Sequence, residues 1–101
     1  MDPETFREYL AKDTAPRNVH PLLQALWHDA KGEWQRAHEL AQSQPGYEAA
    51  AVHAYLHRKE GDLSNADYWY DRAGRKRQDI PLSVEWENLV RQLLRHEAVH
   101  P

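Results

Sequence analysis

The chain contains no cysteine, so neither disulfide bonds nor thiolate chemistry is available to it. It has no long apolar run either, because stretches such as Ala49-Ala50-Ala51-Val52 are far shorter than the roughly 20 residues of a membrane-spanning helix. Neither sign of charge is in large excess, since 13 basic residues stand against 16 acidic ones and give a formal net charge of −3. These absences disfavour disulfide-stabilised, membrane-spanning and nucleic-acid-binding proteins. We therefore expect a cytoplasmic protein with no nucleic-acid and no membrane partner.

The sequence also lacks the motifs that usually carry catalysis. It has no Gly-x-Ser-x-Gly nucleophile turn, no Gly-rich phosphate loop and no Cys-His pair. Its 101 residues are enough for one hydrophobic core and too few for two of ordinary size, which predicts a single domain over residues 1–101. We assign no catalytic residue and no cofactor, and we favour a protein that is not an enzyme.

Two segments of the chain resemble each other. The first runs from Ala25 to Ala37 and the second from Ala54 to Ala66, at an offset of 61 − 32 = 29 residues. Four aligned pairs are identical: Ala25 and Ala54, His28 and His57, Gly32 and Gly61, and Ala37 and Ala66. The differing pairs keep their apolar or acidic character where packing requires it. We interpret the two segments as an internal repeat.

Each segment has the composition of a helix-turn-helix. Its glycine can adopt the left-handed conformation that ends a helix, and the acidic residue after it can cap or favourably charge the start of the next helix. A large apolar residue and, three positions later, a small alanine are expected to fill the wedge between two closely packed helices. These positions are occupied by Gly32, Glu33, Trp34 and Ala37 in the first segment and by Gly61, Asp62, Leu63 and Ala66 in the second. Stacked helical hairpins follow from this pattern.

Helical periodicity divides the chain into about six helices, and no segment has the pattern of a strand. The first helix begins with Asp2 as its cap and Pro3 at its first position. Repeat 1 spans about 20–44, repeat 2 spans about 47–74 after the break at Pro45-Gly46, and a C-terminal capping helix spans about 82–97. The predicted fold is all-α, with two stacked helix-turn-helix repeats between N- and C-terminal capping helices. By stripe position, all four tryptophans are assigned to the core: Trp27, Trp34, Trp69 and Trp86.

The second turn, Gly61-Asp62-Leu63-Ser64-Asn65-Ala66, together with Trp69-Tyr70-x-x-Ala73, resembles the tetratricopeptide and Sel1-like repeat superfamily. The resemblance covers about residues 21–73, and the offset of 29 is shorter than the 34 residues of a standard tetratricopeptide unit. It implies a right-handed superhelix of the tetratricopeptide type. The leading helices of such a stack form a concave face that can hold an extended peptide or a helix of a partner.

By this resemblance, we predict a non-catalytic scaffold or adaptor that binds an unidentified protein or peptide and is itself a monomer or a weak homodimer. The residues that would contact the partner are Leu22, Leu26 and Asp29 from the first repeat and Glu48, Ala51, Tyr55, Arg58 and Lys59 from the second. The alternative is that the C-terminal helix packs across the concave face and fills it. Exposure of Tyr55 and Arg58 distinguishes the two arrangements.

The chain has seven histidines, and two pairs of them are spaced four residues apart. On a helix, this spacing places the imidazoles of His53 and His57 on one face, within reach of one ion. His96 and His100 repeat the spacing. Because a zinc site needs a third ligand and usually a fourth, and no His-Glu-x-x-His signature supplies them, we expect hydrogen-bonded core histidines and assign no metal ligand. A metal-binding or metal-dependent protein organised by His53 and His57, with His28 as a further candidate, is the alternative.

One cluster of cations, Arg72, Arg75, Lys76 and Arg77, follows Trp69 and Tyr70. Such a cluster could bind a phosphate group or an acidic peptide. Cations at the end of a helix also interact favourably with its negative pole, and we expect this role here.

Overall fold

The described part of the chain folds into six α-helices, which confirms the predicted all-α class. The computed structural model describes residues 1–99, and those residues contain no strand. The helices are α1 (Pro3–Glu8), α2 (Pro21–Ala30), α3 (Trp34–Gln42), α4 (Tyr47–Glu60), α5 (Leu63–Arg72) and α6 (Leu82–Val99), and a 3₁₀ turn at Tyr9–Ala11 extends α1. The predicted break at Pro45-Gly46 separates α3 from α4, and Gly46, with a φ of 100°, is the residue before α4.

The two repeated turns have the same hydrogen-bond pattern. Gly32 and Gly61 are left-handed, with φ values of 83° and 90°. After the first leading helix, Glu33 N–H donates to the carbonyl of His28 at 2.9 Å, and after the second, Asp62 N–H donates to the carbonyl of His57 at 3.0 Å. These six-to-one bonds satisfy helix-end carbonyls that would otherwise lack partners. The glycine chemistry of the sequence therefore accounts for both turns.

Helices α2 to α5 pack as two hairpins, and α6 packs against the leading helix of each. Helices α2 and α3 form the first hairpin, α4 and α5 form the second, and α3 packs against α4 at the junction between them. The last helix, α6, packs against α1, α2 and α4, so it lies across the face formed by the two leading helices. Among the described residues, none of the helices combines the length and the apolar character that a membrane span requires. The right-handed curvature of a repeat superhelix stays a prediction.

The main core lies between the leading helices, α1 and α6. Its largest fully buried apolar side chains are Phe6, Leu22, Leu23, Leu26, Val52, Leu56 and Val90. Trp86 on α6 enters this core and donates its indole N–H to the carbonyl of Leu26 at 2.9 Å. A smaller cluster of Ala54, Ala66 and Tyr70 holds α5 against α4. Small alanines at these contacts let the helices approach closely, as predicted for Ala37 and Ala66, which are both fully buried.

Three packing predictions were wrong. Leu63 is 43% exposed and does not fill the wedge in the second hairpin. Trp34 and Trp69 are only half-buried, whereas Trp27 and Trp86 lie in the core as predicted. The physical reason is that α3 and α5 have their outer sides open to solvent, because α6 packs against α1, α2 and α4. The two half-buried tryptophans pack against the edge of the core and also lie against a group of histidines.

Candidate functional site

The face predicted to bind a partner is filled by α6. Of its eight residues, five are buried, two are half-buried, and Lys59 has a side chain that is 38% exposed. The buried five are Leu22, Leu26, Asp29, Ala51 and Tyr55, and the half-buried two are Glu48 and Arg58. Tyr55, one of the two residues chosen to distinguish the arrangements, is 2% exposed. The leading helices therefore present no open concave surface in this conformation.

Three of these residues form a buried polar network instead. The hydroxyl of Tyr55 donates to Asp29 Oδ2 at 2.9 Å, and Lys59 Nζ lies 2.9 Å from Asp29 Oδ1. Burial and the adjacent Asp29 carboxylate raise the pKa of Tyr55, so its hydroxyl keeps its proton and acts as a donor. The network joins α2 to α4. These side chains thus stabilise the packing of the two leading helices.

Arg58 anchors the start of α6. It lies 2.7 Å from Glu85 Oε1, and it also donates to the carbonyl of Ile80. The hydroxyl of Tyr70 donates to the other oxygen of Glu85 at 2.5 Å. Burial and the Glu85 hydrogen bond raise the pKa of Tyr70. Arg58 is therefore committed to the contact between α4 and α6.

The most concentrated group of chemically active side chains lies at the junction of the hairpins. His38 comes from α3, and His53 and His57 come from successive turns of α4. His38 Nε2 and His53 Nε2 are 2.9 Å apart, and one ligand nitrogen from each of the three residues lies within 4.8 Å of the other two. The rings of His53 and His57 are stacked with centroids 4.8 Å apart. We call these three residues the histidine cluster.

A tryptophan stacks on each side of the histidine cluster. The Trp34 ring stacks on His38 with centroids 4.9 Å apart, and the Trp69 ring stacks on His53 at 4.0 Å. Trp34 is fixed in turn, because its indole N–H donates to the carbonyl of Leu56 at 2.8 Å. The aromatic walls limit the orientations of the imidazoles. The cluster is therefore held by packing from three helices.

The imidazoles of His38 and His53 favour their neutral forms. Burial and the nearby His38 and His57 lower the pKa of His53 to about 4. Burial, followed by the proximity of His57, also lowers the pKa of His38. A neutral imidazole has one N–H and one lone pair, so at the contact between His38 and His53 one Nε2 donates and the other accepts. The accepting ring uses its lone pair in this contact, and the donating ring has its lone pair on Nδ1, so both Nε2 atoms can bind one ion only after the donating ring shifts its proton to Nδ1.

His57 has a carboxylate partner. Its Nδ1 lies 2.6 Å from Glu60 Oε2, which leaves Nε2 as the free nitrogen of the ring. His57 is 8% exposed at its side chain, whereas Glu60 is 37% exposed. The other candidate histidine, His28, pairs with Glu33 at 2.8 Å and belongs to no group of potential metal ligands among the described residues. His100 lies outside the described residues.

A groove opens beside the histidine cluster, between the end of the first hairpin and the second hairpin. It has a volume of about 340 Å³. Its lining includes Pro45, Tyr47, Ala50, His53, Trp69 and Arg72, and we call it the hairpin groove. The Arg72 guanidinium lies over the Trp69 ring at 5.4 Å and over the Tyr68 ring at 5.7 Å. Within the described part of the chain, Arg72 forms no ion pair with a carboxylate.

Two other cations of the predicted basic cluster, Arg75 and Arg77, have local partners. Arg75 donates to Gln92 Oε1 at 2.8 Å, and Arg77 pairs with Asp67 at 3.0 Å. Gly74 ends α5 in a left-handed conformation, with Arg75 N–H donating to the carbonyl of Tyr70. The two side-chain contacts are made to Gln92 and Asp67 and not to the carbonyls that end α5, so the expected interaction of the cations with the negative end of the helix stays a prediction.

Sequence reasoning missed His38 and the roles of Trp34 and Trp69. One signal was present, because His38 follows Ala37, the small residue at the helix interface, and lies four residues after Trp34. A side chain at that position lies near the contact surface between neighbouring helices. The missing information was which helix of the second hairpin packs against α3.

Comparisons of the chain with protein-family models, with curated proteins and with solved structures found no match.

Proposed function

We propose that this chain is a non-catalytic helical module that binds a segment of a partner protein in the hairpin groove. The predicted function is retained, but its location moves from the filled concave face to the junction between the hairpins. The observation that carries the proposal is the groove itself, which combines an open volume of about 340 Å³, aromatic walls and a cation with no carboxylate partner among the described residues.

The side chains around the groove are those that dominate protein interfaces. Tyrosine, tryptophan and arginine are enriched at the centres of interfaces, because each buries a large area and can also form a polar contact. Tyr47 is 71% exposed and Tyr68 is 54% exposed, while Trp69 is half-buried between them and the histidine cluster. Such exposed aromatic area supports an interaction surface.

The composition of the groove favours a particular kind of segment. Ala41, Ala49 and Ala50 supply apolar lining, which suits an apolar side chain of the partner. Arg72 is already oriented by the two aromatic rings and can form a bidentate contact with a carboxylate. The proposed ligand is a peptide or helix that places an apolar side chain next to an aspartate or a glutamate.

The test compares wild-type protein with two charge reversals. Each protein is immobilised, incubated with native extract and washed, and bound proteins are identified by mass spectrometry. Arg72→Glu changes the groove, whereas Arg36→Glu makes the same charge change at an exposed residue of α3 that does not line it. A partner should be captured by wild type and by Arg36→Glu and lost from Arg72→Glu.

The captured partner is then purified and its Kd is measured at two salt concentrations. We expect Arg72→Glu to weaken binding at least about 10-fold, because a desolvated charge contact is replaced by repulsion. Equal affinity of both variants, or the absence of any specific partner for wild type, would contradict the proposal. Tyr55→Ala and Arg58→Glu are unsuitable for this test, because both residues are built into the packing of α4.

A further inference from the structure

We propose that His38, His53 and His57 form a binding site for one divalent transition metal ion of the zinc class. This site is distinct from the proposed partner contact, although His53 also lines the hairpin groove. The sequence alone offered two ligands on one helix. The structure adds a third ligand from the neighbouring hairpin and thereby supplies the minimum number that a protein zinc site with an open position requires.

The geometry is close to that of a bound site. Two nitrogens that bind one tetrahedral Zn²⁺ at about 2.0–2.1 Å are separated by about 3.3 Å. The Nε2 atoms of His38 and His53 are 2.9 Å apart, so they need to separate slightly. One ring nitrogen of His57 lies within 4.8 Å of one ring nitrogen of each of the other two histidines. One of the two Nε2 atoms carries the proton of the contact between them, so this proton must also move to Nδ1 of the same ring before both nitrogens can bind the ion.

Glu60 prepares His57 for this role. Histidines that bind metals usually donate their second ring N–H to a carboxylate or a carbonyl, which fixes the tautomer and makes the ligating nitrogen more basic. His57 Nδ1 already has this partner, because Glu60 Oε2 lies 2.6 Å away. The lone pair of His57 is then on Nε2. Glu60 acts as a positioning residue in the proposed site and does not itself bind the ion.

The donor set selects the class of ion. Three imidazole nitrogens suit Zn²⁺, Cu²⁺ and Ni²⁺, whereas Mg²⁺ and Ca²⁺ prefer oxygen ligands. Three protein ligands leave one position of a tetrahedral ion for water or an exogenous ligand. Trp34 and Trp69 stack on the rings of two of the three ligands, His38 and His53. We expect one ion per chain and no comparable affinity for Mg²⁺.

Metal binding also links the two hairpins. His38 belongs to α3, and the other two ligands belong to α4, so a bound ion adds a link between helices that already share side-chain packing and the hydrogen bond from Trp34 to Leu56. An ion that binds the folded chain and not the unfolded chain raises the temperature of unfolding. The rise in Tm should therefore depend on the same residues as the binding itself.

The experiment uses tag-free protein, stripped with a chelator and titrated with zinc chloride by isothermal calorimetry. Variants His38→Gln, His57→Gln and Glu60→Gln are titrated in parallel. His28→Gln is the matched control, because His28 occupies the position of His57 in the first repeat and also pairs with a carboxylate. Magnesium chloride is the control ion, and circular dichroism establishes that each variant is folded.

We expect a stoichiometry of one, at least about 100-fold weaker zinc binding for His38→Gln and His57→Gln, and about 10- to 100-fold weaker binding for Glu60→Gln. His28→Gln should bind like wild type. Cobalt chloride provides a second readout, because its visible spectrum distinguishes four-coordinate from six-coordinate Co²⁺. A four-coordinate spectrum that is lost in His38→Gln supports the site.

Three results would overturn the inference: no zinc binding to wild type, equal binding by wild type and His38→Gln, or a loss of binding in His28→Gln equal to that in His57→Gln. His38 is half-buried whereas His57 is buried, so replacement of His38 is less expected to disturb the fold than replacement of His57. If His57→Gln does not fold, His38→Gln with the cobalt spectrum decides the question. None of these measurements involves the partner protein, so failure here leaves the proposed function intact.

Discussion

In the first hairpin, His28 pairs with Glu33 and has a side chain that is 22% exposed. In the second hairpin, the equivalent His57 pairs with Glu60, is 8% exposed, and lies beside two further imidazoles. Both histidines are followed four residues later by a left-handed glycine. The local contacts of the two positions are thus similar, and the difference comes from what packs against them.

Position in the stack explains the contrast. Helix α4 receives His38 from the returning helix of the first hairpin, whereas α2 has no hairpin before it. The residue of α2 equivalent to His53 is Gln24, whose amide donates to the carbonyl of Pro16 at 3.4 Å. Both hairpins therefore have the same helix-turn-helix, but the histidine cluster forms only at the junction between them.

The largest effect is the acid sensitivity of the cluster. His53 has its pKa lowered from 6.5 to about 4, so below pH 6.5 the unfolded chain binds a proton that the folded chain does not. Stability from this residue is complete above pH 6.5 and is lost as the pH falls toward 4. At 1.36 kcal/mol per pKa unit, the loss is about 3 kcal/mol.

This pH dependence is measured by urea unfolding of metal-free protein, with chelator present, between pH 7.5 and 4. His53→Gln gives the second repeat the residue that the first repeat has at the equivalent position, Gln24. The free energy of unfolding of this variant should depend less on pH than that of wild type. His28→Gln should keep the wild-type profile. If the free energy of unfolding depended equally on pH in wild type and in His53→Gln, the folded cluster would accept protons readily. The contrast between the two hairpins would then come from packing and not from the protonation of histidine.

The second effect concerns the large apolar residue after each turn. Trp34 stacks on His38 and donates to Leu56, whereas its equivalent Leu63 is 43% exposed. We expect Trp34→Ala to lower the free energy of unfolding by about 2–3 kcal/mol, below the usual range for a fully buried tryptophan. Leu63→Ala should cost less than about 0.5 kcal/mol. Chemical denaturation of both variants measures the contrast, and similar losses would mean that Leu63 packs in solution.

These examples show what the sequence could and could not predict. The turns at Gly32 and Gly61 were predictable, because left-handed glycine and the acid after it act within a few residues. The sequence was compatible with two locations of α6, since contacts such as Trp86 with Leu26 join residues far apart in the chain. His38 was missed for the same reason. Its significance depends on the packing of α3 against α4, which no local pattern specifies.

The third prediction tests the equivalence of the turns. Gly32 and Gly61 have similar positive φ values, and an added Cβ would meet no atom within 4 Å at either position. Gly32→Ala and Gly61→Ala should therefore each cost about 1–2 kcal/mol, which is the cost of the left-handed conformation alone. Thermal and urea unfolding provide the measurement. A difference of more than about 1 kcal/mol between the variants would contradict the equivalence.

The smallest expected effect separates the acids that follow the glycines. Asp62 caps α5, because its side chain accepts a hydrogen bond from Asn65 N–H at 3.3 Å, whereas Glu33 makes no such bond to α3 and pairs with His28. Asp62→Ala should cost about 1 kcal/mol, and Asp62→Asn, which keeps a capping oxygen, should cost less. Glu33→Ala should cost less than about 0.5 kcal/mol, since the His28 pair is exposed.

Urea unfolding at pH 7.5 measures the free energy of unfolding of all three variants. Equal losses for the two alanine variants would mean that the pair between Glu33 and His28 stabilises the first turn as strongly as the Asp62 cap stabilises the second. The two hairpins would then differ in the contacts at their turns but not in the stability of those turns.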